Sequence, residues 1–121
     1  MSLLPLASTL TLADLAPIGT VADLGSTILE GEVNAYFKPT MGAPTDPVSA
    51  AYFGASRGKF RMTYPFNEQA TVVLGEVTLT DESSGQVSHY RAGDSWFVSK
   101  GTPVLWEIHS EAFIKHYLAA I

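Results

Sequence analysis

Tyr64, Glu68 and Lys115 are residue types that move protons, and each falls in a run that is otherwise apolar and rich in β-formers. On an extended strand the side chains at i and i+2 share a face. Phe60, Met62 and Tyr64 therefore form one row, Glu68, Ala70 and Val72 a second, and Val104, Trp106 and Ile108 a third. A turn at Ser110-Glu111 that pairs Ile108 with Phe113 sets Trp106 opposite Lys115 and Val104 opposite Tyr117. An even number of residues in that turn brings Lys115 inward; an odd number leaves it in solvent. The even case gathers Glu68 and Lys115 in an apolar, aromatic cavity with Tyr64, Trp106 and Tyr117.

A carboxylate and an ammonium in low dielectric must pair or titrate to neutral. Burial raises a Glu pKa and lowers a Lys pKa, and either shift yields an acid or base useful near neutral pH. Glu68, Tyr64 and Lys115 are thus the expected catalytic set, with Met62, Val104, Trp106 and Tyr117 as the substrate-binding wall. The same residues also fit a plainer role, in which Glu68 and Lys115 form a salt bridge between strands and the aromatics fill a narrow core.

Metal chemistry is not expected. The chain has no cysteine, its three histidines (His89, His109 and His116) do not cluster in sequence, and Glu68 alone cannot hold an ion where catalytic zinc takes three protein ligands. No cofactor is implied. Asp94, in Ala92-Gly93-Asp94, reads as turn chemistry, and Arg57 and Arg61 are expected to face solvent or a partner chain.

The elements that must position these groups are short strands. After residue 48, β-rich runs recur at 49–53, 59–64, 69–74, 76–80, 86–91, 95–99, 103–108 and 112–118, with turn signals at Gly58, Pro65-Phe66-Asn67, Asp81 to Gly85, Gly93-Asp94 and Gly101. That cadence predicts an all-β sandwich or barrel. Residues 1–26 are expected to be extended, with 8–26 either extended or forming one short helical turn, and to serve as a candidate dimer contact; the core is expected over 27–121. Residues 39–47 hold three of the seven prolines and predict an irregular loop, a candidate lid.

Bulk properties narrow the partners. The 121 residues fit one domain, and 46% hydrophobic against 16% charged residues fits a compact fold. A formal charge of -5 with no basic cluster gives nothing to neutralise phosphates, which argues against nucleic acid and anionic membranes. The first residues carry neither a basic n-region nor a continuous apolar run, so a cytoplasmic location is expected.

A jelly roll manages many antiparallel strands without long exposed edges. The first cupin motif ends in E-x6-G, which Glu68 and Gly75 satisfy; the second motif is matched by Gly93 and Gly101, with Ser99 in place of its proline. In that register Met62, Tyr64 and Val104 stand where the cupin histidines would be, and Ile108 where the asparagine would be. With Gly58 to Arg61, Ala92-Gly93-Asp94, Lys100 to Pro103, Trp106-Glu107 and Lys115-His116-Tyr117, the chain resembles small single-domain cupins similar to (S)-ureidoglycine aminohydrolase, related also to ethanolamine-utilisation cupins. The resemblance implies a cupin-type jelly-roll β-barrel, and cupins often form homodimers through edge strands or exchanged N-terminal segments. The manganese activity of the aminohydrolase is not implied, because its histidines are missing. The expected function is binding of a small polar metabolite, nitrogen compounds being one class, by a metal-independent proton-transfer enzyme (isomerase, lyase or hydrolase). The alternative is a non-catalytic binding or sensing cupin.

Overall fold

Two long strands organise the molecule. In the computed structural model, which describes residues 3–121, β4 (Val48–Thr63) and β9 (Pro103–Ala120) run antiparallel along almost their whole length. Met1 and Ser2, the start of the segment read as a dimer contact, lie outside the described residues. The other strands are β1 (Ala16–Thr20), β2 (Thr27–Glu30), β3 (Asn34–Met41), β5 (Asn67–Leu74), β6 (Glu76–Asp81), β7 (Gln86–Arg91) and β8 (Ser95–Val98).

The two halves of each long strand belong to different faces. Residues 48–56 of β4 pair with residues 112–120 of β9, and this half continues through β3 to β1 on one side and through β5 to β8 on the other. Residues 58–63 of β4 pair with residues 103–108 of β9, flanked by β2 and by β6 with β7. The sheet thus folds over itself, and inward rows from both halves meet in one core that contains Ala55, Ala70, Trp96, Phe113, Phe60 and Trp106. This is an all-β fold, as the strand cadence predicts, and a jelly roll, as the cupin resemblance implies.

Within the long β4–β9 pair the strands change face at one irregularity. Between Ser56 and Gly58 of β4, opposite Ala112 and Ile108 of β9, the register shifts. Gly58 has φ +157, and a Cβ there would meet the Glu30 carbonyl oxygen at 2.5 Å as well as the Val33 side chain. Across from it, the extra residues of β9 are tied down: Ser110 Oγ donates to the Ala112 carbonyl, accepts from the Glu76 amide, and the Arg57 guanidinium reaches the His109 carbonyl. Gly75, at φ +87, passes so close to Ala112 and Ser110 that no side chain fits. Through this bulge the buried face of β9 changes from Val104, Trp106 and Ile108 to Phe113 and Lys115.

Several expectations change accordingly. The runs 49–53 and 59–64 are one strand, as are 103–108 and 112–118; there is no hairpin turn at Ser110-Glu111, and those residues sit in the bulge within β9. Polar residues inside a strand that must bend resemble a turn when read from sequence alone. The N-terminal segment holds two short 3-10 turns, Leu12–Asp14 and Val21–Leu24, each capped by a threonine-aspartate box, around β1. Val21 is fully buried in the main core, and Leu15 packs with Tyr52 and Ile114 on the outer face, so apolar packing begins before residue 27. The proline-rich loop is shorter than 39–47, because Pro39 lies within β3 opposite Ala51.

Candidate functional site

A cavity of about 340 Å³ opens between the two halves of the barrel. Its wall is mostly apolar, including Phe53, Phe60, Met62, Phe66, Trp106 and Tyr117, and its charged groups are Glu68 and Lys115. Val21 and Leu24 from the N-terminal segment and Pro44 from the proline-rich loop complete it.

The expected proton-transfer set converges here. The Lys115 ammonium lies 2.5 Å from Glu68 Oε1, and the Tyr64 hydroxyl donates to Glu68 Oε2 at 2.8 Å. Glu68 is 1% exposed and Lys115 5%. Each comes from a different turn of the chain: Tyr64 follows β4, Glu68 is on β5, and Lys115 is on β9 beyond the bulge, opposite Phe53 on one side and Val72 on the other. Without the bulge, Lys115 would share the parity of solvent-facing residues, so the bulge places the ammonium.

Trp96, on β8, was not singled out from sequence and belongs to the same cluster. Its indole Nε1 donates to Glu68 Oε2 at 3.0 Å. The β5–β8 pairing brings it there, with Ala70 opposite Trp96 and Glu68 opposite Val98, and only the folded register reveals it. Phe53 and Phe66 were likewise not assigned to the wall, and Phe60, placed in the Met62–Tyr64 row, was not named among the binding residues. Met62, Trp106 and Tyr117 line the cavity as expected, but Val104 does not. Val104 is buried at a second, smaller depression beside Tyr64, Leu79 and Trp96.

The electrostatics follow from burial. Desolvation pushes the Lys115 pKa down, and the Glu68 charge and hydrogen bond only partly oppose it. Tyr64 is held well above the usual phenol range by burial and then by the adjacent Glu68 carboxylate, and Tyr117 is raised to about 12 by the same two causes. The ammonium makes one hydrogen bond. Its other protons face aromatic rings: the nitrogen lies 5.0 Å from the Trp106 and Tyr117 centroids and within 5.7 Å of Phe53, Tyr64 and Trp96.

A cupin metal does not fit these residues. The positions of its histidines carry Met62, Tyr64 and Val104, Glu68 already holds three donors, and no group of three His, Cys, Asp or Glu could hold an ion among the described residues. Two histidines do meet, contrary to their sequence spacing: His89 and His109 each lie 2.7 Å from the Thr78 hydroxyl. His116 is elsewhere, bonded to Thr40. Of the arginines expected to face solvent or a partner, Arg61 is paired with Glu82.

Residues 42–117, more than half of the chain, match the model of the EutQ-like cupin domain. Among solved structures, the Clostridium difficile EutQ protein is similar at 16% identity and a TM-score of 0.61, covering 73% of this chain and 68% of that one. A putative ethanolamine utilization protein Q from Salmonella typhimurium gives 16% identity and a TM-score of 0.59 over 88% of this chain and 96% of its own. A Pseudomonas syringae protein of unknown function reaches a TM-score of 0.74 at 16% identity over 88% of this chain, which spans 44% of that longer one. At these identities the likeness is one of fold. No curated protein matches the chain.

Proposed function

The chain belongs to the EutQ-like cupin domain family, and from that premise and the cavity we propose that it binds a small molecule in the barrel and moves a proton on it without a metal. The carrying observation is the Tyr64–Glu68–Lys115 cluster, a buried acid-base set in the wall of a cavity of ligand size. Glu68 is the acid or base, Lys115 its charge partner and substrate anchor, and Tyr64 a donor that orients the carboxylate. Met62, Trp106 and Tyr117 hold the ligand body. The wall is more apolar than a polar metabolite requires, so the ligand is a molecule with an apolar body and one polar head. Nothing at the site favours the ureidoglycine aminohydrolase activity, which uses manganese.

A second reading has its own support. Tyr64, Trp96 and Lys115 together occupy the Glu68 carboxylate, which suits a module that binds without turnover. Ligand titration of wild type and Glu68→Gln, followed by a turnover assay on the ligand found, separates them: an enzyme loses turnover in the variant, whereas a binding module shows none in either protein. Binding that vanishes on chelation would refute the metal-free account.

A further inference from the structure

Trp106 Nε1 is the one buried side-chain nitrogen or oxygen without a hydrogen-bond partner among the described residues. Its indole is 1% exposed, lines the cavity, and is held between Phe60, stacked at 5.3 Å, and the edges of Trp96 and Phe113. A buried donor left unpaired is unfavourable by about 1–3 kcal/mol, so a ligand oxygen that accepts from it gains affinity. The Lys115 nitrogen lies 5.0 Å from the same ring. Trp106 and Lys115 both line the cavity, so a carbonyl compound bound there has an unpaired donor and an amine in its wall.

Resting on the small-molecule reading above, we propose that Lys115 is a nucleophile and that the cavity takes an apolar ketone or aldehyde, forming an iminium with it. The ammonium gives a proton to Glu68, and the freed amine attacks the carbonyl carbon as the oxygen rests on Trp106 Nε1. Glu68 returns that proton to the oxygen, giving a carbinolamine. It then takes a second proton from nitrogen and delivers it to the hydroxyl, which leaves as water while the nitrogen lone pair forms the C=N bond. The sum is a carbonyl plus an ammonium giving an iminium plus water, with no oxidant or reductant. The pair is neutral whenever Glu68 holds the proton, and the iminium restores a positive charge beside the Glu68 carboxylate, so substrate and product each contain one buried ion pair. Burial that disfavours the charged amine works in the same direction.

The test uses wild-type protein, benzylacetone as probe, its secondary alcohol as a non-reactive analogue, and sodium cyanoborohydride to fix any imine. The chain has four lysines, and Lys38, Lys59 and Lys100 serve as internal references for unassisted labelling. Peptide mapping should find the reduced adduct on Lys115 at least about tenfold over any other lysine, a modest demand given the effective concentration of a bound carbonyl. Glu68→Gln should lower that labelling while leaving the reference lysines unchanged. Indole fluorescence perturbed by both ketone and alcohol, with labelling on Lys115 no faster than on the references, overturns the nucleophile and leaves the binding site standing. No perturbation by either compound and no Lys115 adduct overturns both.

Discussion

Replacing Lys115 by methionine keeps most of the apolar stem but removes the ammonium and its hydrogen bond to Glu68, leaving the Glu68 carboxylate 1% exposed with the Tyr64 and Trp96 donors. Removing one partner of a buried pair destabilises by about 3–5 kcal/mol, because the remaining charge is uncompensated. The two retained hydrogen bonds are present before and after and do not offset this. The expectation is thus a loss of about 3–5 kcal/mol, a large part of the 5–15 kcal/mol typical of a domain. Glu68→Gln combined with Lys115→Met removes both charges while the amide oxygen still accepts from Tyr64 or Trp96, so the double variant should be more stable than Lys115→Met alone. Urea unfolding at neutral pH, followed by far-ultraviolet circular dichroism, reads all three proteins. A Lys115→Met loss below about 1 kcal/mol, the range of exposed pairs, would show that the pair is not desolvated as drawn. A double variant no more stable than the single would show that the stranded carboxylate is not the cause.

Gly58→Ala should destabilise by about 1–3 kcal/mol in the same assay, because its Cβ meets the Glu30 carbonyl at 2.5 Å in a packed strand pair; an unchanged midpoint would mean the bulge tolerates a side chain. At alkaline pH, Tyr117 has a folded pKa of about 12 against an ordinary 10.0, so its contribution is complete below pH 10 and is lost as pH rises through about 12. The two-unit difference sets a ceiling of about 3 kcal/mol, reduced by partial solvent access, and Tyr117→Phe should flatten the fall in stability over that window; an identical alkaline limb in the variant contradicts the assignment. We also propose a homodimer, since Leu3, Leu4 and Leu6 of the N-terminal segment are exposed beyond the part packed on Tyr52. Sedimentation equilibrium should give twice the 13.0 kDa chain mass at micromolar concentration, and the monomer mass would refute it.

How much was legible depended on whether the information was local. Strand parity within β5 and the Gly75 position are local, and they correctly put Glu68 inside beside Tyr64. The inward Lys115 was legible only as one of two cases, since its face depends on the extra residues between Ile108 and Phe113, whose count of bulged residues no short-range pattern reveals. The parity change was anticipated, but as a hairpin turn; a polar Ser110-Glu111 pair has the same composition in either structure. Trp96 was missed because its bond to Glu68 crosses from β8 to β5, a long-range pairing. Val104 shares a strand face with Trp106, yet the curvature of the barrel sends it to a different depression, which parity cannot resolve. β1 was expected only as extended chain and β2 and β3 escaped notice, in a part of the sequence punctuated by prolines and glycines where Val33 even takes a positive φ of 45.

The central claim is that the cavity beside Trp106 and Lys115 holds a ligand, and the chain carries only two tryptophans, so its proton–nitrogen spectrum contains two indole signals. One belongs to Trp96, bonded to Glu68, and one to Trp106, whose Nε1 is unpartnered. Titration with benzylacetone should move the Trp106 indole signal saturably, downfield as it acquires an acceptor, with a smaller shift at Trp96. Two indole signals that stay in place up to the solubility of the probe would contradict the account.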